Sequence, residues 1–88
     1  MSKHRTIDSL DSRHLMSIIM FLGDNGPSRR IDIYDGVSRN ANMPSKIKAL
    51  VDLGLVEPGG KDNSIFALTT KGMTVAEHLS GIESAIHG

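Results

Sequence analysis

Five cations, Arg29, Arg30, Arg39, Lys46 and Lys48, stand against two anions, Asp32 and Asp35, between Ser28 and Lys48 of an 88-residue chain that is neutral overall. Guanidinium and ammonium groups gathered on one segment attract polyanions through the face they form, whatever the total charge. Asn40, Asn42 and Ser45 lie among them. Short amides and hydroxyls of this kind can hydrogen-bond phosphate oxygens or the edges of bases. Lys61 and Asn63 follow in a Gly-Gly-Lys-Asp-Asn-Ser turn. Each residue also has a plainer reading: a Lys or Arg as a solvated surface charge, and Asn42 as the cap of a helix.

Other chemistries find little support. His4, His14, His78 and His87 show neither an i, i+4 His pair nor a carboxylate at ligand spacing, and there is no cysteine for a thiolate zinc site or a disulfide. No Ser or Thr sits in an activating turn, and Gly59-Gly60 precedes no helix, so it reads as a hairpin feature rather than a phosphate loop. The expectation is no enzyme, no cofactor and no metal. The polar start, Met1-Ser-Lys-His-Arg-Thr, has neither a signal peptide's apolar run nor a membrane span's, which suggests a cytoplasmic protein.

The charged segment must be positioned by what surrounds it. Leu15-Met-Ser-Ile-Ile-Met-Phe-Leu22 places Leu15, Ile18, Ile19 and Leu22 on one helical face, after the capping types Asp8, Ser9, Asp11 and Ser12 and before Gly23-Asp-Asn-Gly-Pro27. Only Ser17 is polar in that stretch, so this helix should be surrounded by other elements. Ser28 to Val37 reads as a short second helix with Ile31, Tyr34 and Val37 inward. Met43 to Gly54 reads as a third, with Pro44 in its first turn, Met43, Ile47, Leu50 and Leu53 inward, and Gly54 at its stop. Ser45, Lys48 and Asp52 then point outward, with Lys46 at the edge of the core. Asp52 would repel phosphate and so marks the end of any anion-binding footprint.

Leu55 to Pro58 and Ile65 to Thr69, separated by the glycine-rich turn, predict a β-hairpin. Thr70 is the expected cap of a last helix running to about Ile86. Within it Val75, Leu79, Ile82 and Ile86 recur at heptad spacing, a stripe narrower than a helix normally offers its own core. A chain this short buries only about 60–65% of its unfolded surface, so a partner subunit on that stripe would relieve a marginal core. The competing reading packs the stripe on the chain's own first helix.

Three helices, a two-stranded hairpin wing and a C-terminal helix form an α+β, mostly α, winged helix-turn-helix. With Gly26-Pro-Ser-Arg-Arg-Ile31, Leu50-Val-Asp-Leu-Gly-Leu-Val56 and Leu68-Thr-Thr-Lys-Gly72, the chain resembles archaeal-type winged-helix transcriptional regulators, similar in plan to the MarR and PadR groups. The resemblance spans residues 10 to 87. It implies one domain over 1–88, with 1–9 flexible, a winged-helix core over 10–69 and a dimerisation helix over 70–87. It further implies a homodimer binding double-stranded DNA with the third helix in the major groove. Arg29, Arg30, Arg39, Asn40, Asn42, Ser45, Lys46, Lys48 and Lys61 are the candidate contacts, and Val75, Leu79, Ile82 and Ile86 the candidate dimer interface. The alternative use of such a fold is a protein interaction module that does not bind DNA. No effector pocket is evident, although Met16, Met20 and Met73 could line one between the first and last helices.

Overall fold

A computed structural model describes residues 14–38 and 42–87. In chain order the elements are α1 (Leu15–Asn25), β1 (Ser28–Arg29), α2 (Arg30–Gly36), α3 (Met43–Asp52), β2 (Val56–Gly59), β3 (Ile65–Leu68) and α4 (Thr70–His87). They make a mostly helical winged helix with a small antiparallel sheet.

The first helix buries the face that its spacing predicts, Leu15, Ile18, Ile19 and Leu22. It is not surrounded, however: Met16 is exposed and Met20 and Phe21 are only partly covered in a single copy of the chain. The capping types Asp8, Ser9, Asp11 and Ser12 lie outside the described residues. His14 occupies the cap position instead, with a left-handed φ of 74° and no side-chain capping bond.

Beyond Pro27 the backbone is extended rather than helical for two residues. Ser28 pairs with Phe66 and Arg29 with Ile65, so the expected two-stranded hairpin becomes a three-stranded sheet of order β1-β3-β2. Ser28 is buried there, and its hydroxyl donates to the Gly26 carbonyl at 2.9 Å, which leaves no unsatisfied polar group. Because α2 starts at Arg30, Ile33 and not Ile31 is its buried residue. Ile31 is 46% exposed, with Tyr34 and Val37 partly covered. Gly36 closes α2 where the Phe21 ring lies across it, and a methyl group there would overlap the ring.

The end of α3 is a Schellman motif. The Leu55 N–H donates to the Leu50 carbonyl and the Gly54 N–H to the Val51 carbonyl, both at 3.0 Å, with Gly54 at φ 78°. Leu50 and Leu55 both enter the core, the apolar contact that accompanies this cap. Helix α3 is thereby fixed to the sheet by its last turn, with Met43, Ile47 and Leu50 buried beneath it.

The start of α4 locks onto the same place. Thr69, and not Thr70, is its cap: the Thr69 hydroxyl accepts the Gly72 N–H at 3.0 Å and donates to the Gly54 carbonyl at 2.6 Å. The Thr69 N–H donates to the Leu55 carbonyl at 3.0 Å. Gly72 is buried directly against that carbonyl. Further along, α4 runs beside α1, where Gly23 and Ala76 are small enough to let the two helices close: a Cβ on Gly23 would stand 3.3 Å from that of Ala76.

Candidate nucleic-acid interface

The outward face of α3 carries what the periodicity assigns to it. Ser45, Lys48 and Asp52 are exposed, and Lys46 is half-buried at the edge of the core. Asn42 stands at the N-cap, its carbonyl accepting the Lys46 N–H at 3.1 Å, while its side chain makes no capping bond. Pro44 falls in the first turn, where a missing N–H is harmless. Arg39 and Asn40 lie outside the described residues.

Three of the cations have internal partners. Lys48 Nζ sits 3.2 Å from Asp52 Oδ2, one turn along α3. Arg29 Nε stands 3.8 Å from Asp32 Oδ2, and the same oxygen accepts the Arg29 backbone N–H at 3.2 Å. Arg has no acceptor with which to return that bond, so only half of a capping box forms at the start of α2. The Arg30 guanidinium lies over the Phe66 ring, 5.1 Å from its centroid, and ties α2 to β3. Lys46 and Lys61 make no ion pair among the described residues.

Sheet register brings Arg29 to the root of the wing. Ile65 pairs with Arg29 on one side and with Gly59 on the other, so Arg29 and the base of the wing turn flank one residue of the central strand. Lys61, Asp62 and Asn63 are exposed in that turn, which Gly60 (φ 83°) and Asn63 (φ 58°) close through left-handed conformations. The Ser64 hydrogen bond holds the Asp62 carboxyl below the ordinary carboxylate value. With one cation and one anion, Lys61 and Asp62, the wing turn carries no net charge and offers hydrogen bonds rather than net attraction.

No family model and no curated protein matches the chain. Among solved structures, the crystal structure of a possible HxlR family transcriptional factor from Thermoplasma volcanium GSS1 is 32% identical to it, with a TM-score of 0.80 over 96% of this chain and 80% of that one. The chain belongs to the HxlR family. The winged-helix class expected from the motifs therefore holds, with HxlR as the family within it.

In this HxlR-family chain the four residues assigned to a dimer interface divide. Val75 and Leu79 pack against the chain's own core, whereas Ile82 is 55% and Ile86 74% exposed beyond it. A cleft of about 320 Å³ opens between α1 and α4, lined by Met20, Leu68, Met73 and Ala76 with Asp24 and Glu77 among its polar residues. Met16 is not part of that lining. The ligand-type spacing of Glu83 and His87, four apart on α4, was not expected; the two lie 3.1 Å from each other. No group of three His, Cys, Asp or Glu able to hold an ion occurs among the described residues. No helix among them is long and apolar enough to cross a membrane.

Proposed function

We propose that this HxlR-family protein is a cytoplasmic, homodimeric transcriptional regulator that binds double-stranded DNA sequence-specifically, with α3 in the major groove. The observation that carries the reading is the two-faced character of α3. Its inner side is sealed into the core by Met43, Ile47 and Leu50, while its outer side presents Ser45 and Lys48, residues with no packing role and the right chemistry for base edges and phosphates. Arg29 at the N-cap of α2 and Arg30 in its first turn would fix the register through phosphates, with Lys61 on the wing adding little. Arg39, Asn40, Asn42 and Lys46 complete the proposed contact set.

The test is to select duplexes from a random pool and measure binding by fluorescence anisotropy across a salt series. Affinity should fall steeply and linearly in log–log form, at about 0.9 per phosphate contact. A protein that binds no duplex even at low salt would instead be an interaction module for another protein.

Ile82 and Ile86 extend the Val75–Leu79 stripe past the protomer's own core, which supports pairing of α4 with a second copy. Such a dimer would address half-sites about one helical turn apart. Sedimentation at tens of micromolar should show a dimer, and Ile82→Glu with Ile86→Glu should convert it to a folded monomer with weaker DNA binding. Monomeric wild-type protein would remove this part of the proposal.

A further inference from the structure

We propose that Asp52 determines specificity on the duplex-binding surface: it is an internal counter-ion that DNA must displace from Lys48. This rests on the reading of α3 as the DNA-contacting helix. The pair is well formed, with Lys48 Nζ 3.2 Å from Asp52 Oδ2, and open to competition, with the two side chains 76% and 64% exposed.

Helix stability does not account for Asp52. It is the last residue of α3, where the carbonyl ends of the helix favour a cation and disfavour an anion. The order of the pair is also the weaker one, since an acid four residues before a base stabilises a helix better than the reverse. Asp32 makes the contrast plain: it sits in the first turn of α2, where the dipole favours it, and it caps the Arg29 N–H. Asp32 has a structural task. Asp52 has only Lys48.

The consequence follows from how proteins discriminate among duplexes. Non-specific binding is almost wholly phosphate electrostatics, whereas specific binding adds base contacts. A carboxylate that neutralises the exposed cation of the reading helix therefore removes a larger share of non-specific affinity. A duplex that also satisfies the polar groups along α3 can displace it; one that offers charge alone does so poorly. Asp52 thus lowers affinity everywhere and raises the ratio between the right sequence and all others.

Four proteins decide the matter: wild type, Asp52→Asn, Lys48→Met and the double variant, each titrated into a selected duplex and a random-sequence duplex over a salt series. Urea midpoints confirm that each is folded. Asp52→Asn should tighten random-duplex binding about three- to tenfold and steepen its log–log salt slope by about 1 for each lysine released, with a smaller gain on the selected duplex. Most of the gain should vanish in the Lys48→Met background. Equal gains on both duplexes, no gain at all, or a gain undiminished without Lys48 would each overturn the inference while leaving DNA binding intact. Failure of the wild type to bind any duplex would overturn the functional reading itself, and this inference with it.

Discussion

Gly72→Ala should cost the fold about 3 kcal/mol, a large share of the stability of a domain of this size. The sign is not obvious from helix preference, because alanine is the better helix former by about 1 kcal/mol and Gly72 lies inside α4. Space decides it. A methyl group at position 72 would overlap the Leu55 carbonyl, with the Leu68 side chain also close. That carbonyl cannot swing aside, for it accepts the Thr69 N–H and belongs to the residue that completes the cap of α3. Relief requires α4 to lift away from the sheet, which breaks the Thr69 hydroxyl's bonds to Gly54 and Gly72 as well. Urea unfolding followed by circular dichroism gives the measurement. Thr69→Val should lose about 2 kcal/mol through the same joint, by removing a helix cap and a donor together, while Thr69→Ser should stay close to wild type. A Gly72→Ala protein within about 0.5 kcal/mol of wild type would show that this joint is not what holds the wing and α4 together.

That joint explains why the two sequence motifs occur together. Leu-Gly-Leu supplies the left-handed stop and the two carbonyls at residues 54 and 55; Leu-Thr-Thr-Lys-Gly supplies the hydroxyl, the N–H and the side-chain-free surface that meet them. Glycine at residue 54 was legible because a helix stop needs a positive φ. The reason for glycine at residue 72 was not, since it lies in a contact across 17 residues of chain. Gly36 is a similar case: it closes α2, and the Phe21 ring lying across it supplies the packing reason.

Periodicity served α1 and α3 and failed α2 and β1. Helices α1 and α3 have enough turns for an apolar stripe to define a face, and Leu15, Ile18, Ile19, Leu22, Met43, Ile47 and Leu50 are all buried as expected. Helix α2 has 7 residues, and the two-residue strand before it shifts its start, so the face read from Ile31 turns out to centre on Ile33. A strand of two residues has no pattern of its own; only β3 beside it reveals it. Site residues follow the same division. The cations were visible as a local charge excess, whereas the pairing of Arg29 with Asp32 and of Lys48 with Asp52 was not, Asp52 reading only as the end of the footprint. The seating of Arg30 on Phe66 joins residues far apart in sequence and needed the fold.

Reversing both lysines of α3, Lys46→Glu with Lys48→Glu, should lower duplex affinity by about a thousandfold or more near physiological salt. Counterion release sets the size of the loss. Each phosphate contact contributes about 0.9 to the log–log salt slope, so a dimer losing four loses roughly 3.6 of slope, which near 0.15 M corresponds to about three decades. Repulsion from the four new carboxylates adds to that. The loss should be larger on the selected duplex, which displaces Asp52 from Lys48, than on random sequence, where that lysine stays paired, and it should flatten base preference where Lys48 reaches a base edge. The fold should survive, because Lys48 is exposed and its pair with Asp52 is of the solvated kind that contributes at most about 1 kcal/mol. Lys46 is the riskier half, since its stem lies against the core, so Lys48→Glu alone serves as the folded reference, with a loss of one to two decades. Anisotropy titrations with the selected and random duplexes measure both quantities, affinity and slope. Unchanged affinity in a double variant with wild-type urea midpoint would move the DNA-contacting surface off α3, and leave the basic start of α2 and the wing to carry whatever binding remained.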